Sequence, residues 1–303
     1  MTVTADSGQS PVARHLLCFG LGYTARSLAR RLSARGFAVT GTSRTAEGAA
    51  AIRAEGWRGV VFDGREPSPA VAAAITEATH VLVSAPPDDD GDPILGTHGP
   101  DLARAKHIAW IGYLSTVGVY GDHGGEWVDE TTPPRPARGR SHRRMEAELA
   151  WNAFAEKTGR RVEVFRLPGI YGPGRSAIDT VRAGTARRII KPGQVFNRMH
   201  VDDIAAALDA AMSGPPRYAL YNLSDNEPAP PEDVVAHAAA LLGLPPPPAV
   251  PFAEAQLSPM ARSFYIESKR VSNRRMTEVL GVRLAYPTYR DGLAAIAVEK
   301  PLF

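Results

Sequence analysis

Short apolar runs alternate with alanine-rich amphipathic stretches through the first half of the chain. HLLCF (15–19), FAVTGTS (37–43), WRGVVF (57–62), HVLVSA (80–85), HIAWIGYLST (107–116) and VEVFRL (162–167) predict strands. Between them the spacing predicts helices over 24–35, 46–55 and 68–77, one near 97–106, and a long one over 140–158. Strands separated by helices of about 10–15 residues form βαβ units, hence a parallel sheet with both faces covered. Right-handed crossovers then make a doubly wound α/β fold the economical topology.

After residue 167 the alternation breaks down. A helix VDDIAAALDAAM (201–212) and a strand YALYNLS (218–224) are clear, followed by proline-rich connections around a short helix at 232–242. A basic helix near 268–280 and a last one near 289–299 complete the pattern. The expected organisation is a disordered tail (1–13), a nucleotide-binding domain of 14–167 plus about 201–224, and a smaller lobe of about 168–200 plus 225–303. The lobe should pack on the carboxyl ends of the strands, where such folds bind ligands.

Composition narrows the function classes. Thirty-five basic against 32 acidic residues leave a formal charge of +3, too little for a nucleic-acid binder even with RGRSHRR at 138–144. No apolar stretch reaches the ~20 residues of a membrane span, and the first dozen residues lack a signal-peptide core, so a soluble cytoplasmic protein is expected. The single cysteine, Cys18, sits in an apolar strand and excludes a disulfide framework. Asp88, Asp89, Asp90 and Asp92 lie in a Gly/Pro loop and read as solvated carboxylates, so no metal is expected. Asp202 or Asp203 should cap the 201–212 helix, with His200 bridging to the lobe.

The chemistry begins in the first βα turn. Gly20-Leu21-Gly22-Tyr23-Thr24-Ala25 is the GxGxxA dinucleotide fingerprint of a Rossmann-type sheet. Gly20 permits the tight turn, Gly22 lets backbone approach a pyrophosphate, and Ala25 lets the helix pack closely on the strand. The second strand ends Ser43-Arg44 where an NAD site would offer an acid. A guanidinium there suits a 2′-phosphate, which predicts NADP in preference to NAD. Asp63, ending the third strand, is placed for the adenine amino group, and Ser84-Ala85-Pro86 for the middle of the cofactor.

Further segments extend the pattern. Leu114-Ser115-Thr116-Val117-Gly118-Val119-Tyr120-Gly121, Arg166-Leu167-Pro168-Gly169-Ile170-Tyr171-Gly172-Pro173-Gly174 and Arg198-Met199-His200-Val201-Asp202-Asp203 stand in order along the chain. With these the sequence resembles the extended short-chain dehydrogenase/reductases, the NAD-dependent epimerase/dehydratase family; its tail is similar to a small atypical branch. The resemblance implies that Thr116 binds the reacting oxygen and that the turn containing Pro168 touches the nicotinamide. It also implies a small-molecule substrate and a homodimer through the helices near 97–106 and 140–158.

In the family the long helix carries a tyrosine and, four residues later, a lysine. Counted back from the matching Ala147-Glu148 pair, Arg140 stands at the tyrosine position and Arg144 at the lysine position. Arg144 can still hydrogen-bond a ribose, whereas arginine neither accepts nor releases a proton, so Arg140 cannot replace a tyrosine. Tyr113 and Tyr120 are alternatives from elsewhere, with Tyr120 on the substrate side, and Arg140 and Arg198 are candidate clamps for an anionic substrate group. Two readings follow: an NADP-dependent oxidoreductase or epimerase with an unusual acid/base, and an NADP-binding redox sensor or regulatory protein with little chemistry.

Overall fold

The run HLLCF forms β1 (His15–Phe19) with every residue buried, Leu16 and Cys18 facing one apolar cluster and Leu17 and Phe19 another. That two-sided burial is why the strand reads as a continuous apolar run. The structure, a computed structural model, describes residues 14–298. The expected tail (1–13) and the end of the last helix lie outside the described residues. After β1 come α1 (Tyr23–Ser33), β2 (Ala38–Ser43), α2 (Ala46–Ala54), β3 (Arg58–Val61), α3 (Pro69–Glu77), β4 (His80–Val83), α4 (Pro93–Arg104) and β5 (Trp110–Thr116). A 3-10 turn (Val117–Tyr120) and β6 (Trp127–Val128) lead to α5 (Arg140–Thr158), β7 (Val162–Leu167) and β8 (Gly169–Tyr171). Then follow α6 (Ala177–Arg182), β9 (Arg188–Ile190), β10 (Arg198–His200), α7 (Val201–Ser213) and β11 (Leu220–Asn222). The chain continues with α8 (Pro231–Leu241), β12 (Ala249–Pro251), α9 (Pro259–Phe264), β13 (Arg270–Val271) and α10 (Tyr289–Val298).

Seven parallel strands form the central sheet in the order β3-β2-β1-β4-β5-β7-β11. The expected doubly wound α/β fold is therefore the one observed. Strand order reverses between β1 and β4, which is where such sheets open a crevice. Beyond β7, the parallel ladders β8–β10, β9–β12 and β6–β13 accompany helices α6, α8 and α10. These helices share a separate core of Tyr171, Ile178, Val234, Tyr289, Leu293 and Ile296.

Two boundaries differ from expectation for identifiable reasons. Helix α4 starts at Pro93 rather than near 97, because the Asp92 carboxylate accepts from the Ile94 and Leu95 amides at 3.0 and 3.1 Å. This is a cap with proline at the first helical position. The basic helix expected over 268–280 is instead β13 followed by one π-helical turn at Arg275–Val279. Val271 pairs with Val128 and donates to Asn197 Oδ1 at 2.8 Å, and these tertiary bonds override helical propensity. The outer edge of the sheet is closed by side chains: Asn222 N donates to Glu130 at 2.8 Å, and Arg275 donates to Leu220 O at 3.0 Å.

One buried ion pair positions α5 on the sheet. Glu148 accepts from Arg166 on β7 at 2.6, 3.1 and 3.2 Å, and from the Ser115 hydroxyl on β5. The Arg166 guanidinium lies 4.6 Å from the Tyr120 ring centroid, and the Tyr120 hydroxyl donates to Asn222 at 2.8 Å. Removing one partner from a buried pair strands the other charge, at a cost of about 3–5 kcal/mol. Glu148→Ala should lower unfolding stability by about that amount, read as a lower urea midpoint at unchanged slope. Glu148→Gln, which keeps an acceptor, should lose less; losses within about 0.5 kcal/mol for both would refute the anchoring role.

Candidate functional site

The fingerprint turn is built by short backbone contacts. Gly20 has φ +82°, and its amide donates to Thr42 Oγ1 at 2.9 Å, while Leu21 N donates to Thr42 O at 3.1 Å. A Cβ on Gly20 would lie 3.2 Å from Ala85 N, so the loops after β1 and β4 touch where the strand order reverses. Gly22 precedes α1, and a Cβ there would meet nothing within 4 Å. The N-terminal amides of α1 thus face an open crevice, the arrangement that receives a phosphate. Thr24 and Ala25 are buried beneath it. Tyr23 reaches across to donate to Pro173 O at 3.1 Å, and burial pushes its phenol up to about 12.

Around this crevice the predicted residues stand at the carboxyl ends of their strands. Ser43 closes β2, and Arg44 beyond it is exposed, with no ion pair among the described residues. Asp63 follows β3, exposed, accepting from Arg65 N at 3.0 Å. Ser84 and Ala85 are half-buried after β4, with Pro86 exposed, and Pro168 is half-buried between β7 and β8.

At the end of β5, Thr116 accepts from Gly118 N at 3.1 Å, which leaves its O–H to donate elsewhere. Arg144 is fixed against the same strand, donating to Leu114 O at 2.6 Å and to the Tyr113 hydroxyl at 3.2 Å. Arg140 diverges from it: exposed at the start of α5, its guanidinium lies 5.3 Å from the Phe264 ring centroid. Ser141 is a site residue that sequence reasoning missed. Its Oγ and Thr116 Oγ1 lie 2.6 and 3.3 Å from the point a Cβ on Gly118 would occupy. The available signal was its place in the first turn of the helix that faces the β5 end.

Several expectations need correction. Tyr120, expected on the substrate side, is fully buried with its hydroxyl bonded to Asn222, so it has no surface to offer a ligand. Tyr113 is equally buried, and burial pushes its phenol up to about 12. Asp92 is not solvated: besides capping α4 it accepts from Trp151 Nε1 at 3.0 Å. Asp89 does lie in solvent, but Arg143 on α5 holds it at 2.5 Å. The cap of α7 is His200 itself, whose Nδ1 accepts from Asp202 N at 3.2 Å. Asp202 instead accepts from Ser27 on α1 at 2.7 Å, and Asp203 from the Ala285 and Tyr286 amides at 2.8 and 2.9 Å.

On the lobe side a cleft of about 430 Å³ lies among Tyr171, Arg198, Val234, Tyr289 and Leu293. Arg198 is in register with Gly169, the residue after Pro168.

Comparison with known proteins agrees with this geometry. The NAD dependent epimerase/dehydratase family matches residues 101–223. The YeeZ protein of Escherichia coli K12 is 32% identical over 239 residues, 75% of this chain and 84% of that protein. The chain belongs to the NAD dependent epimerase/dehydratase family. A functionally unknown conserved protein from Silicibacter pomeroyi DSS has a similar solved structure: 52% identity, TM-score 0.85, covering 94% of this chain and 98% of that one. The UDP-glucose 4-epimerase of Thermus thermophilus, solved with NAD, shares the fold at 20% identity and TM-score 0.74, over 93% of this epimerase/dehydratase-family chain and 97% of its own. No described helix is long and apolar enough to cross a membrane.

Asp225 adds a pH dependence. Its Oδ1 accepts from Glu227 N at 3.2 Å while Oδ2 is buried without a partner. Burial raises the carboxyl to about 7, against the Glu227 amide and the charge of Arg198. Between about pH 4 and 7 the folded chain therefore holds a proton that the unfolded chain has lost, so stability falls as pH rises through that window and levels off above it. Asp225→Asn should remove this slope: its stability relative to wild type should rise by up to a few kcal/mol from pH 4 to 7. Parallel denaturation curves at both pH values would contradict the assignment.

Proposed function

We propose that the crevice binds NADP and that the chain acts on a small substrate as an NADP-dependent oxidoreductase or epimerase without a catalytic tyrosine. The observation that carries the cofactor reading is Arg44 at the end of β2, exposed and without an ion pair among the described residues, with no carboxylate at that position and the open N-terminus of α1 alongside. Gly20, Gly22, Tyr23 and Thr24 would hold the pyrophosphate, Ser43 and Arg44 the 2′-phosphate, Asp63 the adenine, and Ser84, Ala85 and Pro86 the middle of the cofactor. Arg144 would hold the nicotinamide ribose beside Pro168. When bound, the cofactor supplies hydride donation or acceptance. The Thr116 O–H would hydrogen-bond the substrate oxygen, with Ser141 standing next to it. Arg144 supplies positive charge but no proton.

A second reading, an NADP-binding redox sensor with little turnover, is favoured by one observation: the phenols of Tyr113 and Tyr120 are both buried and hydrogen-bonded, so neither can replace the missing acid. NADPH oxidation followed at the nicotinamide band over aldehydes, ketones and nucleotide sugars separates the two. The enzyme reading expects turnover that Thr116→Ala reduces at least tenfold; cofactor binding without turnover supports the sensor. For the cofactor itself, Arg44→Ala should weaken NADP at least about tenfold and leave NAD unchanged in fluorescence titrations. Tighter NAD than NADP in wild type would overturn the preference.

A further inference from the structure

We infer that the cleft beside Arg198 takes the carboxylate of a small acid with an apolar body, rather than a nucleoside diphosphate sugar. This rests on the reading of the crevice and adjoining lobe as cofactor and substrate sites. Arg198 projects from β10 with one terminal nitrogen, Nη1, held by the carbonyls of Phe196 and Ala229 at 3.0 and 3.2 Å. Those bonds orient the guanidinium, and it makes no ion pair among the described residues. A planar fork with unused N–H groups matches one carboxylate in bidentate fashion. Burial works against its charge, with Asp225 the main opposing influence, so a ligand anion would supply the missing counter-charge.

Its surroundings narrow the ligand further. The Tyr289 ring lines one wall of the cleft with its centroid 5.9 Å from the guanidinium, while its hydroxyl is buried away from the opening. Val234, Val235 and Leu293 make the rest of that wall apolar. Asp179 also lines the cleft, and Asp225 is close enough to act on Arg198. Arg175 also lines the cleft but is exposed to solvent, so one carboxylate on Arg198 is matched more closely than two phosphates beside Asp179, where like-charge contacts oppose binding. The volume of about 430 Å³ is at the small end of ligand pockets, ~300–1,000 Å³.

The test is calorimetric titration of the full chain, with NADP present, using hexanoate, 3-phenylpropanoate, its methyl ester, phenyl phosphate and UDP-glucose. At least one carboxylate should saturate and the ester should not. Arg198→Met should weaken that carboxylate about tenfold to a hundredfold, the worth of a charge-assisted bidentate pair. Arg198→Lys, which keeps charge without the fork, should recover part of the loss. The inference is overturned if neither carboxylate saturates, if phenyl phosphate or UDP-glucose binds more tightly, or if Arg198→Met leaves carboxylate affinity unchanged. Titration with NADP alone reports the cofactor reading separately. A chain that takes NADP but no carboxylate overturns this inference and leaves that reading standing.

Discussion

The Glu148–Arg166 pair is the contact on which the rest of the site depends. It lies in the interior, where a charge survives only if paired and hydrogen-bonded. Its partners come from three separate stretches of chain: α5, the end of β7, and Ser115 just before Thr116. The ring of Tyr120 covers the guanidinium and passes the network on to Asn222 in β11. With α5 pinned at Glu148, residues one and two turns earlier are delivered to the end of β5. That is how Arg144 meets Leu114 O and how Ser141 comes to stand near Thr116.

This explains how the helix keeps its place with arginines along its first two turns. Arg144 is tethered to strand atoms, so its position is set by the sheet. Arg140, a turn further from the pin, has no such tether and rests on Phe264 of α9 instead. Two arginines that look equivalent in the sequence therefore serve different neighbours. One presents charge to the crevice, and the other touches the lobe.

The sheet is legible in the sequence because each strand buried on both faces needs an apolar run, and each crossover needs an amphipathic helix. GxGxxA is legible for the same reason: tight turns and close backbone approach demand particular residues at particular spacings. The ladders of two or three residues are not legible, since a segment such as Arg270-Val271 is too short to show a period and is held by tertiary partners. Asp92 and Tyr120 mislead for a related reason. A polar side chain reads as solvated or functional until its buried partner is known, and those partners lie far away in the chain: Trp151 for Asp92 and Asn222 for Tyr120. Ser141 was hidden because a serine at a helix start has no pattern of its own.

The closed edge at β11 has a consequence for assembly. An edge strand with unpaired amides invites another chain to extend the sheet. Here the Asn222 amide is spent on Glu130, and the Leu220 carbonyl on Arg275, itself stacked 4.3 Å from the Tyr218 ring centroid. Two charged side chains occupy the hydrogen-bonding slots a visiting strand would need. The sheet cannot be lengthened at this end, so contact between copies across it would be side chain to side chain, not backbone to backbone, and the border is guarded against fibril-like stacking.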